Sequence, residues 1–192
     1  MSKTIVVIDA GHGFKPTPSG GVVFDPGAVG YLGQAQHREA DIAAQYANSI
    51  AYMLRTLYPA IETHLLIATR EQPLSLQQRR RYEPSAAAFV SVHLNAAESR
   101  NAHGYETWYS REHSVGLAHA VHAALQRALA GRLDRGVKQK GLTVCQREKP
   151  SALLELGFIT NASDLEYLLL RETRARVARE VAKAVAEFVG LG

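Results

Sequence analysis

A chain of 192 residues, 46% hydrophobic and 21% charged, is long enough to bury one core without covalent staples. Its single cysteine, Cys145, excludes an internal disulfide framework and any zinc site built on several thiolates, so a metal site must draw on histidine and carboxylate. The formal charge of +4 favours a polyanionic neighbour without identifying it, and no stretch approaches the roughly 18 consecutive apolar residues that a membrane span requires.

The segment IVVID (5–9) is rich in β-branched residues and alternates little, as expected of a strand covered on both faces. It is followed by GHG, and residues 11–36 carry so many glycines and prolines that a long irregular loop is expected. From Glu39 an apolar stripe through Ile42, Tyr46, Ile50 and Leu54 predicts a helix that stops at Tyr58, before Pro59. Residues 61–69 read as a second strand, and SLQQRRRYE as a short basic helix ended by Pro84. AAFVSVH (87–93) is a third strand, followed by a strand at 104–110 and a helix over 112–130. LTVC (142–145) and SALLELGF (151–158) are further strand candidates. Ser163 and Glu166 fit a capping box that opens a helix, and a last helix runs through Val177, Val181, Val185 and Phe188.

Strands alternating with helices imply one α/β domain over 1–192, three layers deep. Its mixed, mainly parallel sheet of about six strands would carry helices on both faces. Much of the basic excess lies in QQRRRYE and LLLRETRARVARE, which read as solvated helix faces. No nucleic-acid-binding signature is present, so nucleic acid is not an expected partner. The N-terminus, MSKTIVVIDAGHG, has too short an apolar run for a signal peptide, which implies synthesis in the cytoplasm.

Reactive groups in α/β sheets collect at strand ends and in the loops beyond them. His12 lies between two glycines that let other groups approach closely, although a surface turn would also accommodate it. His93 ends AAFVSVH, where a merely hydrogen-bonded histidine is the plain alternative. Glu39 opens its helix near the inward stripe, a position that the helix dipole alone also favours. His37 competes with Glu39 for that place. Glu155 lies between Leu154 and Leu156 in an otherwise apolar strand, where an ionised carboxylate costs several kcal/mol unless it is paired or solvated in a cleft. Two histidines and one carboxylate from separate elements make a set that holds catalytic zinc. Glu155 would then serve as general base and acid. His119 and His122 are spaced i and i+3, whereas helical zinc pairs more often use i and i+4; His64, His103 and His113 have no supporting context.

Through these residues the sequence resembles the zinc-dependent N-acetylmuramoyl-L-alanine amidases of the amidase-3 type, enzymes that trim bacterial peptidoglycan. IDAGHG is similar to the family's first strand and ligand loop, DPGAVG (25–30) to its glycine turn, and TREQPLSLQQR (69–79) to its Thr-Arg, Ser-Leu and Arg pattern. SVHLNA resembles the second histidine motif and ALLELGFITNASD the catalytic-glutamate motif. KPTPSGGVVF is longer than usual in the family, and Glu83-Pro84 replaces an Ala-Asn pair.

The resemblance implies zinc bound by His12, Glu39 and His93, with Glu155 as the catalytic acid/base. It implies hydrolysis of the amide that joins the lactyl group of N-acetylmuramic acid to L-alanine of the stem peptide. The expected form is a monomeric catalytic domain without a separate cell-wall-binding domain, as in a phage endolysin that a holin releases to the wall. Its basic surface would contact anionic wall or outer-membrane polymers. The competing readings are a zinc peptidase cutting within the stem peptide and a noncatalytic wall-binding module.

Overall fold

The computed structural model describes residues 3–192. From the N-terminus run β1 (Thr4–Pro16), β2 (Val22–Asp25), β3 (Val29–Leu32) and β4 (Ala35–Arg38), then α1 (Glu39–Leu57), β5 (Ile61–Ala68) and α2 (Leu76–Arg81). There follow β6 (Ala88–Asn95), β7 (Tyr105–Tyr109), α3 (Val115–Ala128) and β8 (Asp134–Gln139), and finally β9 (Ser151–Phe158), α4 (Ala162–Leu169) and α5 (Arg171–Phe188).

Seven strands form one mixed sheet in the order β2-β1-β6-β9-β7-β8, with β5 also paired to β1. β5, β1, β6 and β9 are parallel neighbours; β7 joins β9 antiparallel, and β8 runs parallel to β7. Because side chains alternate along a strand, each central strand divides its residues between two cores. Val6, Ile8, Val90, Val92, Ala152 and Leu154 face α1, α3 and α5 in the larger core. Val7, Phe89 and Leu153 face a thinner layer made by α2 and a 3-10 turn at Thr143–Cys145. The sheet is thus covered on both faces, as a three-layer α/β domain requires.

The same alternation places Asp9, Ser91, His93 and Glu155 on the thinner side. Register lines them up: Asp9 opposes Ser91, His93 opposes Glu155, and Glu155 opposes Glu106 on β7. A row of polar groups therefore crosses adjacent strands at the end of the sheet where the covering layer is thin.

The structure departs from the sequence expectations in several places. The supposed loop is largely strand: β1 continues through Pro16 and turns back as β2, with Phe14 opposite Phe24, and β3 and β4 make a second hairpin. Its prolines fall at the end of β1, in the turn after it and between β2 and β3, where no internal ladder bond is lost. LTVC is not a strand; its core is the 3-10 turn, and the edge strand is the preceding DRGVKQ, too polar to show a buried periodicity. The last-but-one helix is capped by Asn161, whose side chain accepts from the Asp164 amide, rather than by Ser163. The basic helix does carry a full capping box from Ser75 and Gln78, yet its Arg79 is buried, contrary to the solvated face expected of it.

Candidate active site

The pairing of β1 with β5 is interrupted between Asp9 and Gly13 and resumes at Gly13 opposite Ala68, and His12 lies within that irregularity. His12 itself adopts φ 63°, in the left-handed region. Gly11 is required by its neighbour: a Cβ there would lie 2.5 Å from His93 Nδ1, inside the ring's van der Waals envelope. The two imidazoles consequently meet edge to face, with ring centroids 5.1 Å apart.

Glu39 reaches this pair from the first residue of α1. Its Oε1 lies 3.1 Å from His12 Nε2 and 2.9 Å from His93 Nδ1, and it accepts from the Leu94 amide at 3.2 Å. Its Oε2 accepts from the Ala28 amide at 2.9 Å. Glu39 is almost fully buried. Burial opposes its charge, but the hydrogen bonds and charges of His12 and His93 prevail and hold the carboxyl well below the usual range. His12 is raised in turn: burial disfavours its cationic form, and Glu39 and Asp25 together outweigh that penalty. Asp25 lies 3.4 Å from His12 Nδ1. A carboxylate on the far nitrogen of a histidine is the usual way a metal-facing Nε2 is oriented.

One ligand atom from each of His12, Glu39 and His93 lies within 4.8 Å of the others. Two imidazoles and a carboxylate on three elements are the donor set of an open zinc site. The structure brings together every residue of the expected ligand set, and beside it the expected acid/base. Glu155 stands in register with His93, half-buried, its Oε2 enclosed without a hydrogen-bond partner among the described residues. Burial, reinforced by repulsion from Glu39 and Glu106, pushes its carboxyl well above the ordinary range. Such a group holds a proton more readily than an ordinary carboxyl does. An orphaned buried oxygen next to a His-Glu-His cluster fits a polar guest bound between them.

The rival histidines are elsewhere. His37 lies on β4 opposite Gly30. His122 is buried between Thr107 Oγ1 at 3.0 Å and Asp134 Oδ1 at 2.9 Å, where it ties α3 to β7 and β8. His64 pairs with Glu62, and His119 is exposed.

Sequence reasoning missed Arg79 and Asp9. The Arg79 guanidinium donates to Asp9 Oδ1 at 2.5 Å, to the Ala10 carbonyl at 2.6 Å and to the His12 carbonyl, so it clamps the backbone that carries the histidine. Ser91 Oγ satisfies the other oxygen of Asp9 at 2.6 Å. The available signal was Asp9 itself, a charge at the end of an apolar strand that demands a buried partner. A cleft of about 760 Å³ opens beside His12 and His93, with Leu74, Leu76, Leu142, Val144 and Leu153 among its walls.

The sequence pattern of the amidase-3 family, described as N-acetylmuramoyl-L-alanine amidase, matches residues 6–187. Bacillus subtilis YqiI is 30% identical over 196 residues, covering 95% of this chain and 84% of that protein. The N-acetylmuramoyl-L-alanine amidase LytC of the same organism is 32% identical over 169 residues, 85% of this chain and 31% of LytC. The probable cell wall amidase LytH of Staphylococcus aureus is 31% identical over 166 residues, 85% of this chain and 50% of LytH. This chain thus spans half or less of the length of LytC and LytH. Among solved structures, the catalytic domain of the amidase CwlV from Bacillus (Paenibacillus) polymyxa superposes with a TM-score of 0.81 at 28% identity, covering 98% of this chain and 99% of that one. An N-acetylmuramoyl-L-alanine amidase from Clostridium difficile 630 gives 0.84 at 25% identity, covering 99% and 98%.

Proposed function

The chain belongs to the N-acetylmuramoyl-L-alanine amidase family of peptidoglycan hydrolases, and from that premise we propose that it hydrolyses the amide between the lactyl group of N-acetylmuramic acid and L-alanine of the stem peptide. His12, Glu39 and His93 would hold a zinc ion, and Glu155 would act as the catalytic acid/base. Residues 3–192 would work as a single catalytic unit acting on the cell wall. The observation that carries this reading is the convergence of the three ligand atoms within 4.8 Å, beside a carboxyl with a buried, unpartnered oxygen.

A zinc ion held by this set would supply Lewis acidity toward a carbonyl and lower the pKa of water to near neutrality. The protein's residues do the rest. Glu39 brings its negative charge to the site and is held in place by the Leu94 and Ala28 amides. Asp25 faces His12 Nδ1 and so turns Nε2 inward. Arg79 anchors the His12 carbonyl, so the imidazole is aimed by a fixed backbone. Glu155 takes a proton from the attacking water and delivers it to the alanine nitrogen, without which the amine is a poor leaving group. Its raised affinity for a proton suits the second half of that exchange. The leucine and valine walls of the cleft offer apolar surface for the substrate beside the reacting amide.

Mass spectrometry of digested peptidoglycan tests the reading. Glycan strands freed of intact stem peptides are expected; products cut within the stem peptide would replace the amidase by a peptidase, and no release at all would favour a binding module. Glu155→Gln should lower hydrolysis about 10²–10⁴-fold while metal analysis still finds zinc bound. Activity near the wild-type level in that variant would remove Glu155 from the chemistry.

A further inference from the structure

One strand beyond Glu155, the sheet carries a concentration of positive charge that the hydrolytic mechanism does not use. Glu106 opposes Glu155 in register and is 2% exposed. It accepts from Lys138 Nζ at 2.5 Å, Arg135 Nε at 2.8 Å, Asn95 Nδ2 at 2.8 Å and Trp108 Nε1 at 3.1 Å. Lys140 adds a third cation. The ammonium groups of Lys138 and Lys140 stand 5.2 and 5.9 Å from the centre of the Trp108 ring, which groups them around one aromatic side chain. Three cations against one carboxylate leave an excess of two. Lys138 spends one of its three N–H donors on Glu106, and Arg135 one of its five, apart from a long contact to the His103 carbonyl at 3.5 Å. Both side chains are one-third exposed, and Lys140 is exposed beside Gly141 and Leu142, which line the cleft.

The opposite end of the cleft is different. Lys15 is cancelled there by Asp25 at 3.0 Å. The end of the cleft toward the β1–β2 hairpin is thus neutral, whereas the cations of β8 stand outside its walls, next in sequence to Gly141 and Leu142.

We propose that Arg135, Lys138 and Lys140, grouped around Trp108, form a subsite for a carboxylate of the stem peptide and so fix which end of the substrate lies over β8. This rests on the amidase reading above. Neighbouring strands are about 4.8 Å apart, so β8 lies two spacings, about 10 Å, from Glu155. An extended peptide covers that distance in about three residues at 3.3–3.6 Å each. A carboxylate on the second or third residue after the scissile bond therefore reaches the cations while the glycan extends toward the neutral end. Arg135, fixed by Glu106, would orient the carboxylate, and the two lysines would add attraction.

The test uses the peptide L-alanyl-γ-D-glutamyl-L-lysine and the same peptide with both carboxylates amidated. Neither contains the scissile bond, so calorimetric binding to the zinc-loaded protein is read independently of turnover. The free acid should bind at least about tenfold more tightly at low salt. The exposed Lys140→Glu change should reverse that preference, and Lys138→Met with Lys140→Met should abolish it. Equal binding of the two peptides, or a preference that survives in the folded Lys140→Glu protein, overturns the subsite. A glycerol-phosphate polymer that binds and loses affinity in the variants, while the two peptides bind equally, overturns it in favour of a wall polymer. Hydrolysis of a muramoyl-tripeptide by the same preparations reports separately on the amidase reading: a protein that prefers the acid but leaves the lactyl amide intact keeps the subsite and loses the reaction.

Discussion

Gly11 shows how closely this site is packed, because the His93 ring occupies the space where any side chain would begin. Gly27 has the same role on the other side, where a Cβ would lie 2.6 Å from Glu39 Oε2 and 2.7 Å from His12 Cδ2, at φ 66°. Gly11→Ala should therefore displace His93 while leaving the sheet intact. We expect zinc affinity to fall about 10–100-fold, comparable to the loss of a ligand-orienting partner, with little change in the urea midpoint. Metal titration and denaturation on one preparation check this. Wild-type affinity in the alanine variant would mean that the ring can move aside without cost. Glu155 illustrates the other residue-scale device, a carboxyl whose proton affinity is set by burial and by two neighbouring acids.

α2 is only six residues long, yet the ligand loop depends on it. Arg147, its guanidinium 4.3 Å above the Phe89 ring, donates to the carbonyls of Arg79, Arg80, Tyr82 and Glu83 and so holds the end of this helix. Arg79 then holds Asp9, Ala10 and His12. Arg79→Ala would leave Asp9, fully buried, without its cation. Breaking such a pair costs about 3–5 kcal/mol, which urea unfolding would register. Arg79→Lys keeps a charge but lacks the planar fork that reaches two carbonyls and a carboxylate at once, so hydrolysis should fall more than stability does. A lysine variant with full activity would reduce Arg79 to a structural ion.

The β7–β8 edge has its own pH signature. Burial raises the Glu106 carboxyl, but the hydrogen bonds and charges of Lys138 and Arg135 outweigh it and leave the group below its ordinary value. A carboxyl lowered on folding stabilises the native state above the usual glutamate value of about 4.3 and loses that contribution as pH falls through its folded value. The stability gap between wild type and Glu106→Gln should thus be widest near neutrality and close in acid. A gap that stays constant from pH 7 to pH 3 would show that charge is not what Glu106 contributes.

At the scale of the molecule, two unequal layers on one sheet decide where chemistry can occur. The thick layer of α1, α3 and α5 buries most of its strand face, whereas α2 and a 3-10 turn cover the other face in part, and the cleft lies beside them. Among the described residues, no helix is long and apolar enough to cross a membrane. The net charge of +4 predicts that retention on isolated cell walls weakens steadily as salt rises, since exposed charges are screened beyond about 8–10 Å at physiological ionic strength. Sedimentation of the zinc-free protein with walls across a salt series measures this; retention independent of salt would assign it to the cleft instead.

Local pattern alone determined much of this protein. The period of 3.6 set α1 from Glu39 to Leu57, the β-branched runs set the central strands, and Glu155 stood out as a carboxyl misfit among leucines. Those signals are readable because each depends on neighbours a few residues away. The edge strand β8 and the burial of Arg79 depended on partners about 30 and 70 positions distant, and the hairpins after His12, though local, carry the glycines and prolines of a loop. Only the folded register, which sets Asp9 against Ser91 and His93 against Glu155, could decide them, because a charge or a polar strand is stabilised by what lies across from it in space.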